Sequence, residues 1–223
     1  MIKIGIVLSG CGVMDGSEIH ESVLTLLAVS QAGAEAVCMA PDMEQTEVIN
    51  HLTQQKMNER RNVLVEAARI ARGKVKDIKT VQAGDVGALI FPGGYGAAKN
   101  LCTFAFDGPD CKVRPEVARL AKEVHEAGKP IGVICIAPVL AAKIFQGESM
   151  KLTIGNDPGT AGAIETMGHE HVECSVRGTC VDGEKRIVST PAYMLAENSA
   201  EAYAGIQKLV QEVLTLTKQP VRR

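Results

Sequence analysis

Gly132-Val-Ile-Cys135-Ile-Ala-Pro138 is the stretch on which the reading of this chain turns. A β-branched apolar run stops at a cysteine, and the small Ala137 and Pro138 open the next segment. Proline suits a first helical turn, where its missing N–H leaves no hydrogen bond unmade. The order therefore predicts strand, tight turn and helix, with Cys135 on the turn. Free amides and the positive end of a helix dipole there would favour the thiolate, the nucleophilic form of the side chain. The other cysteines (Cys11, Cys38, Cys102, Cys111, Cys174, Cys180) read as small buried hydrophobes.

Outward from this turn, strand-like and helix-like segments alternate along the whole chain, which implies βαβ units and a mainly parallel sheet. The strands expected are 2–8, 34–40, 75–78, 87–91 and 131–134, short ones at 152–154 and 172–174, and a segment 181–189 with an Asp182-Gly183 turn. The first helix has Ile19, Val23, Leu26 and Leu27 at helical spacing and stops at Ala32-Gly33. Further helices are expected at 63–72, along Val113, Val117, Leu120, Ala121 and Val124, at 136–145, and along Ile206, Leu209, Val210, Val213 and Leu214. Residues 41–60 have no clear pattern. No linker-like shift divides the chain, so one domain over 1–223 is expected, with 218–223 a frayed tail.

The bulk numbers fit an α/β globular protein: 46% hydrophobic and 22% charged residues. A net charge of −2 with scattered Lys and Arg gives no sustained attraction to nucleic acid or anionic lipid. The opening MIKIGIVLSG reads as a first buried strand rather than a signal segment, and no run suffices to cross a bilayer. Seven cysteines without Cys-x-x-Cys pairs point to free thiols and a cytoplasmic location.

Pro92-Gly93-Gly94-Tyr95-Gly96 follows a neighbouring strand, and in an open parallel sheet such loops emerge at one edge, where ligands bind. Gly93 and Gly94 let the backbone turn its amides inward, so Gly94 N–H with Ile136 N–H can form an oxyanion hole facing Cys135. Glu18 and Glu21 fall in the first turns of the first helix at the same edge, where either can shuttle a proton to the thiol. Gly10-x-Gly12-x-x-x-Gly16 has one residue too many for a dinucleotide loop. His169, His171, Cys174 and Cys180 lack any recurring zinc spacing, so no metal is expected. His20, His51 and His125 show no catalytic partners by spacing.

SGCGVMDGSEIHE (9–21), PGGYGAAKNL (92–101), GVICIAP (132–138), LTIGND (152–157) and TPAYM (190–194) together closely resemble the ElbB family of isoprenoid biosynthesis proteins with an amidotransferase-like domain, in the PfpI-like superfamily. The resemblance is near full length. It implies a flavodoxin-like three-layer αβα sandwich, a homodimer, and glyoxalase activity on a small dicarbonyl substrate without glutathione, metal or other cofactor. Cys135 takes the family's nucleophile position, and counting back from Ala32-Gly33 places Glu21 rather than Glu18 at the superfamily's acid. One departure stands out: Gly155 lies where several superfamily members have a histidine, which leaves a Cys-His-acid triad without its imidazole and His171 as the substitute from a neighbouring segment. The same gap weakens glutaminase chemistry, which needs a base to manage the leaving ammonia. The rival readings are an amidotransferase-like subunit and a non-enzymatic redox-sensing or scaffold protein.

Overall fold

The computed structural model describes residues 1–220. In chain order its elements are β1 (Lys3–Val7), α1 (Ile19–Gln31), β2 (Glu35–Ala40), β3 (Ile49–Asn50), β4 (Gln55–Lys56), α2 (Val63–Ile70), β5 (Val75–Asp77) and β6 (Ala88–Phe91). There follow α3 (Tyr95–Lys99), α4 (Phe104–Asp107), α5 (Pro115–Glu126), β7 (Ile131–Ile134), α6 (Pro138–Ile144) and β8 (Lys151–Leu152). The chain then forms α7 (Pro158–Thr166), β9 (Glu170–His171), β10 (Cys180–Asp182), β11 (Ile187–Thr190) and α8 (Ser199–Lys218). Of the tail expected to fray, 221–223 lie outside the described residues.

Seven strands form one sheet in the order β10-β11-β7-β6-β1-β2-β5, parallel throughout except for the β10–β11 hairpin. Its central strands are buried along their whole length, as apolar runs covered on both faces should be. One face packs against α5 and α6 through Leu89, Val117, Leu120, Val124 and Leu140. The other packs against α1, α2 and α8 through Ile6, Ile90, Val29, Val63 and Leu209. These layers make the three-layer αβα sandwich, and the parallel strands deliver their C-terminal ends, with the loops after β1, β6, β7 and β11, to one edge.

The differences from the sequence reading are local. The 41–60 stretch contains the β3–β4 hairpin. Val172–Cys174 is not a strand; the pairing with β8 is made by Glu170 and His171. A helix absent from the reading, α7, starts at Asp157, whose side chain accepts the Thr160 N–H, with Pro158 at the first helical position. Val113 precedes α5 and bridges Cys102 instead. The stripe on α1 is mostly turned the other way: of its four residues Ile19, Val23 and Leu27 are exposed and only Leu26 packs partly against the core, while Glu21, Ser22 and Thr25 are fully buried. Local bonds make this tolerable, because Ser22 Oγ donates to Glu18 O (2.7 Å) and Thr25 Oγ1 to Glu21 O (2.7 Å).

Candidate active site

Cys135 follows β7 directly and has φ +60°, a left-handed conformation that a cysteine adopts only when its surroundings enforce it. Its N–H donates to Thr190 O (3.0 Å), tying the turn to the end of β11, and Ala137 N–H donates to Ile134 O (2.9 Å) to close it. The expected elbow is therefore present, with α6 beginning only at Pro138. The amides of Gly94 and Ile136 are both aimed at Cys135 Sγ.

Glu21 reaches the sulfur from α1 and hydrogen-bonds it. The carboxyl is fully buried. Its Oε2 accepts the Gly93 N–H (2.9 Å) and its Oε1 the Tyr193 N–H (3.1 Å). Glu18 caps the same helix, accepting the Glu21 N–H on Oε2 (2.6 Å) while its own N–H donates to Gly93 O (2.9 Å). Of the two carboxylates, Glu21 is thus the one on the thiol.

The three amides divide their work. Gly94 and Ile136 face the sulfur, whereas Gly93 N–H is engaged by Glu21 and holds the acid instead of lining an oxyanion hole. Both glycines are required by close approach. A Cβ on Gly93 would lie 2.5 Å from Cys135 Cβ and 2.6 Å from Glu21 Oε2. Gly94 has φ +94°, and a Cβ there would lie 2.3 Å from Glu18 N.

Burial, more than any other influence, pushes the Glu21 pKa up to about 8, with the nearby Glu18 charge adding to it. Burial and then the Glu21 charge drive the Cys135 thiol well above its ordinary value. The expected lowering of the thiol by a helix dipole is overturned: the residue is only 8% exposed, and the favourable bonds from Gly94 and Ile136 are smaller than the cost of charging a desolvated sulfur beside a carboxylate. Both groups hold protons more tightly than they would in water, and a proton can pass between them within one hydrogen bond.

Cys135 opens onto a cavity of about 440 Å³ walled mainly by Val13, Tyr95, Phe104, Ile136 and Met194, with Glu18, Asp157, Thr160 and Tyr193 supplying polar groups. A second cavity of about 460 Å³, by Ser149, Asp182 and Lys185, lies at the opposite edge of the sheet and holds no nucleophile. His171 is not brought to the thiol. It sits in β9, accepts the Ile154 N–H on Nε2 (3.4 Å), and is not among the residues lining the Cys135 cavity. His169 is buried between Met150 N and Ala142 O. The glycine-rich first loop closes on itself, Gly12 N–H donating to Ser17 O (2.8 Å) and Gly16 N–H to Gly12 O (2.7 Å). Those amides are therefore not free to cradle a phosphate.

The sequence reading missed Tyr193 and its partner His20. Tyr193 lies in a 3-10 turn (Ala192–Met194) just after β11, and its hydroxyl is 2.8 Å from His20 Nδ1. The available signal was its position: TPAYM ends a strand at the same sheet edge as the elbow.

No family model matches the chain. It is 48% identical, over 96% of its length and 83% of the relative's, to the Homo sapiens glutamine amidotransferase-like class 1 domain-containing protein 3, mitochondrial. It is 46% identical, over 96% of its length and 84% of the relative's, to the Rattus norvegicus ES1 protein homolog, mitochondrial. Among solved structures it is similar to the isoprenoid biosynthesis protein with amidotransferase-like domain from Ehrlichia chaffeensis (36% identity, TM-score 0.89, 96% of this chain and 99% of that one). Glyoxalase III from Candida albicans shares the fold at 14% identity (TM-score 0.64, 96% of this chain and 97% of that one). The expected cytoplasmic location is corrected by the relatives' names, which are mitochondrial and not cytoplasmic. Free thiols without Cys-x-x-Cys pairs argued only for a reducing compartment, and a mitochondrial one meets that condition equally. From the identity and coverage, the chain belongs to the glutamine amidotransferase-like class 1 domain (ES1) family, together with the ElbB-type isoprenoid biosynthesis proteins with an amidotransferase-like domain.

Proposed function

We propose that the protein is a glutathione-independent glyoxalase that converts glyoxal or a similar small α-oxoaldehyde to the 2-hydroxy acid. The observation that carries this reading is the hydrogen-bonded Cys135–Glu21 pair with the Gly94 and Ile136 amides converging on the sulfur at the floor of a small cavity. The reactive form is the one in which Glu21 is ionised: as the sulfur adds to the aldehyde carbon C1, its proton passes to that carboxylate, and the carbonyl electron pair moves to oxygen beside the two amides. Glu21 returns the proton to that oxygen, which gives a neutral hemithioacetal. It then takes the hydrogen on C1 as a proton and delivers it to C2, so C1 is oxidised and C2 reduced with no outside electron acceptor. The resulting thioester is cleaved by water, giving glycolate from glyoxal and restoring the thiol. An acid with a pKa of about 8 suits a proton that is both taken and returned near neutral pH.

The amidotransferase-like alternative has less support, because no histidine lines the Cys135 cavity among the described residues. The decisive assay is glycolate formation from glyoxal by the wild type and Cys135→Ser. We expect turnover by the serine variant to fall at least about 10³-fold; undiminished turnover eliminates the mechanism. Ammonia release from glutamine by the wild type, without glycolate formation, would establish the alternative.

A further inference from the structure

We infer that Tyr193, with its hydroxyl partnered by His20, is a catalytic acid–base that moves the proton between the two substrate oxygens. The inference rests on the glyoxalase reading and deepens it by supplying a group that reading leaves unnamed. Moving a proton from C1 to C2 forms an enediol, and this requires a proton donor at the C2 oxygen and an acceptor for the C1 hydroxyl proton afterwards. Glu21 works on carbon in those steps, and Cys135 is bonded to substrate, so neither is available for the oxygens.

Four observations converge on Tyr193. Its side chain lines the cavity that holds Cys135. Its backbone N–H is bonded to Glu21 Oε1 (3.1 Å), which fixes its position relative to the acid. Its hydroxyl lies 2.8 Å from His20 Nδ1, and the two rings are 5.8 Å apart. The preceding residue, Ala192, is fully buried with φ +42°, so the chain accepts a left-handed alanine in placing the tyrosine here. His20 itself is exposed, which lets its outer nitrogen exchange protons with solvent.

The steps balance. When Glu21 removes the C1 proton, the phenol gives its proton to the C2 oxygen, and the enediol carries one hydroxyl on each carbon. In the tautomer that carries the ring proton on Nδ1, His20 donates to the phenolate and steadies it. When Glu21 protonates C2, the C1 hydroxyl returns its proton to the phenolate, leaving the thioester carbonyl at the Gly94 and Ile136 amides. Tyr193 ends as it began, and the two hydroxyls of a cis enediol are close enough for one phenol to serve both. In this way an acid–base group on the loop after β11 does the work for which His171 is too remote.

The test uses Tyr193→Phe, which keeps the ring and the backbone bond to Glu21 and removes only the hydroxyl. With glyoxal as substrate we expect kcat to fall about 10²–10⁴-fold with KM changed less than about threefold. The rate of Cys135 alkylation by iodoacetamide should stay near the wild-type value, because the sulfur and its partners are untouched. His20→Ala should lower kcat about tenfold, and His20→Asn, which restores a nitrogen donor near the Nδ1 position, should recover most of that loss. Wild-type kcat in Tyr193→Phe, alongside a dead Cys135→Ser, overturns this inference and leaves the glyoxalase reading standing. A wild-type protein that forms no glycolate overturns both. A loss in Tyr193→Phe accompanied by slowed alkylation also overturns the inference, since the tyrosine would then be shaping the thiol site and not moving protons.

Discussion

Replacing Glu21 by glutamine should reverse sign as a stability effect across the pH range. In the wild type the buried carboxyl holds its proton up to about pH 8 in place of the ordinary 4.5. Between those limits the native state binds more protons than the unfolded chain, so stability is full below pH 4.5 and declines as pH rises through about 8. At about 1.4 kcal/mol for each pH unit, the full loss is about 5 kcal/mol. Glutamine has no charge to bury and removes this slope. It brings its own cost, because Gly93 N–H and Tyr193 N–H each need an acceptor and the amide offers one oxygen. One buried donor is left opposite the NH₂ group, at about 1–3 kcal/mol. The variant should therefore be about 1–3 kcal/mol less stable than the wild type at pH 4.5 and about 2–4 kcal/mol more stable at pH 9. For a chain of this size that is a swing of about 10–20 °C in the difference between their Tm values. Thermal or urea unfolding of both proteins from pH 4.5 to 9 measures it directly. Curves that run parallel through this range would refute the assignment of a protonated, desolvated carboxyl to Glu21.

Two further substitutions probe the frame around the site. Gly94→Ala places a Cβ 2.3 Å from Glu18 N at φ +94°; it should cost about 2–4 kcal/mol in urea unfolding and reduce glycolate formation by displacing the amide from the sulfur. Asn100→Ala removes a fully buried side chain whose Nδ2 donates to Ser9 O (2.9 Å) and Asp15 O (2.8 Å) and whose Oδ1 accepts the Thr46 N–H (2.9 Å). Leaving those groups unpaired should cost about 2–4 kcal/mol, seen as a lower Tm and faster proteolysis of the loop after β1.

The elbow and the parallel sheet were legible because each is written in a local pattern: continuous apolar runs for buried strands, and the abrupt change from β-branched residues to Cys135 and Pro138. The inward face of α1 was not. Periodicity of Ile19, Val23, Leu26 and Leu27 pointed to a buried stripe, yet only Leu26 packs partly against the core and Glu21, Ser22 and Thr25 occupy the interior, since two of them bond their own helix and the third is satisfied by distant loops. The pairing of β8 with β9 was hidden for a different reason, since a two-residue parallel ladder leaves almost no alternation to detect. The thiol's environment was misjudged because helix position is visible in sequence whereas desolvation by the rest of the chain is not. Tyr193 was passed over since its value depends on His20, a neighbour brought to it only by the sheet.

The acid at the centre of the site is bonded to backbone 72 residues ahead of it and again 172 residues ahead. During synthesis Glu21 therefore emerges long before either amide exists, and has its full set of partners only once the strand before Tyr193 has joined the sheet. Reactivity at Cys135 should thus arrive in a single late event, when nearly the whole polypeptide is available, and a nascent or truncated product ending before β11 carries the cysteine without its chemistry.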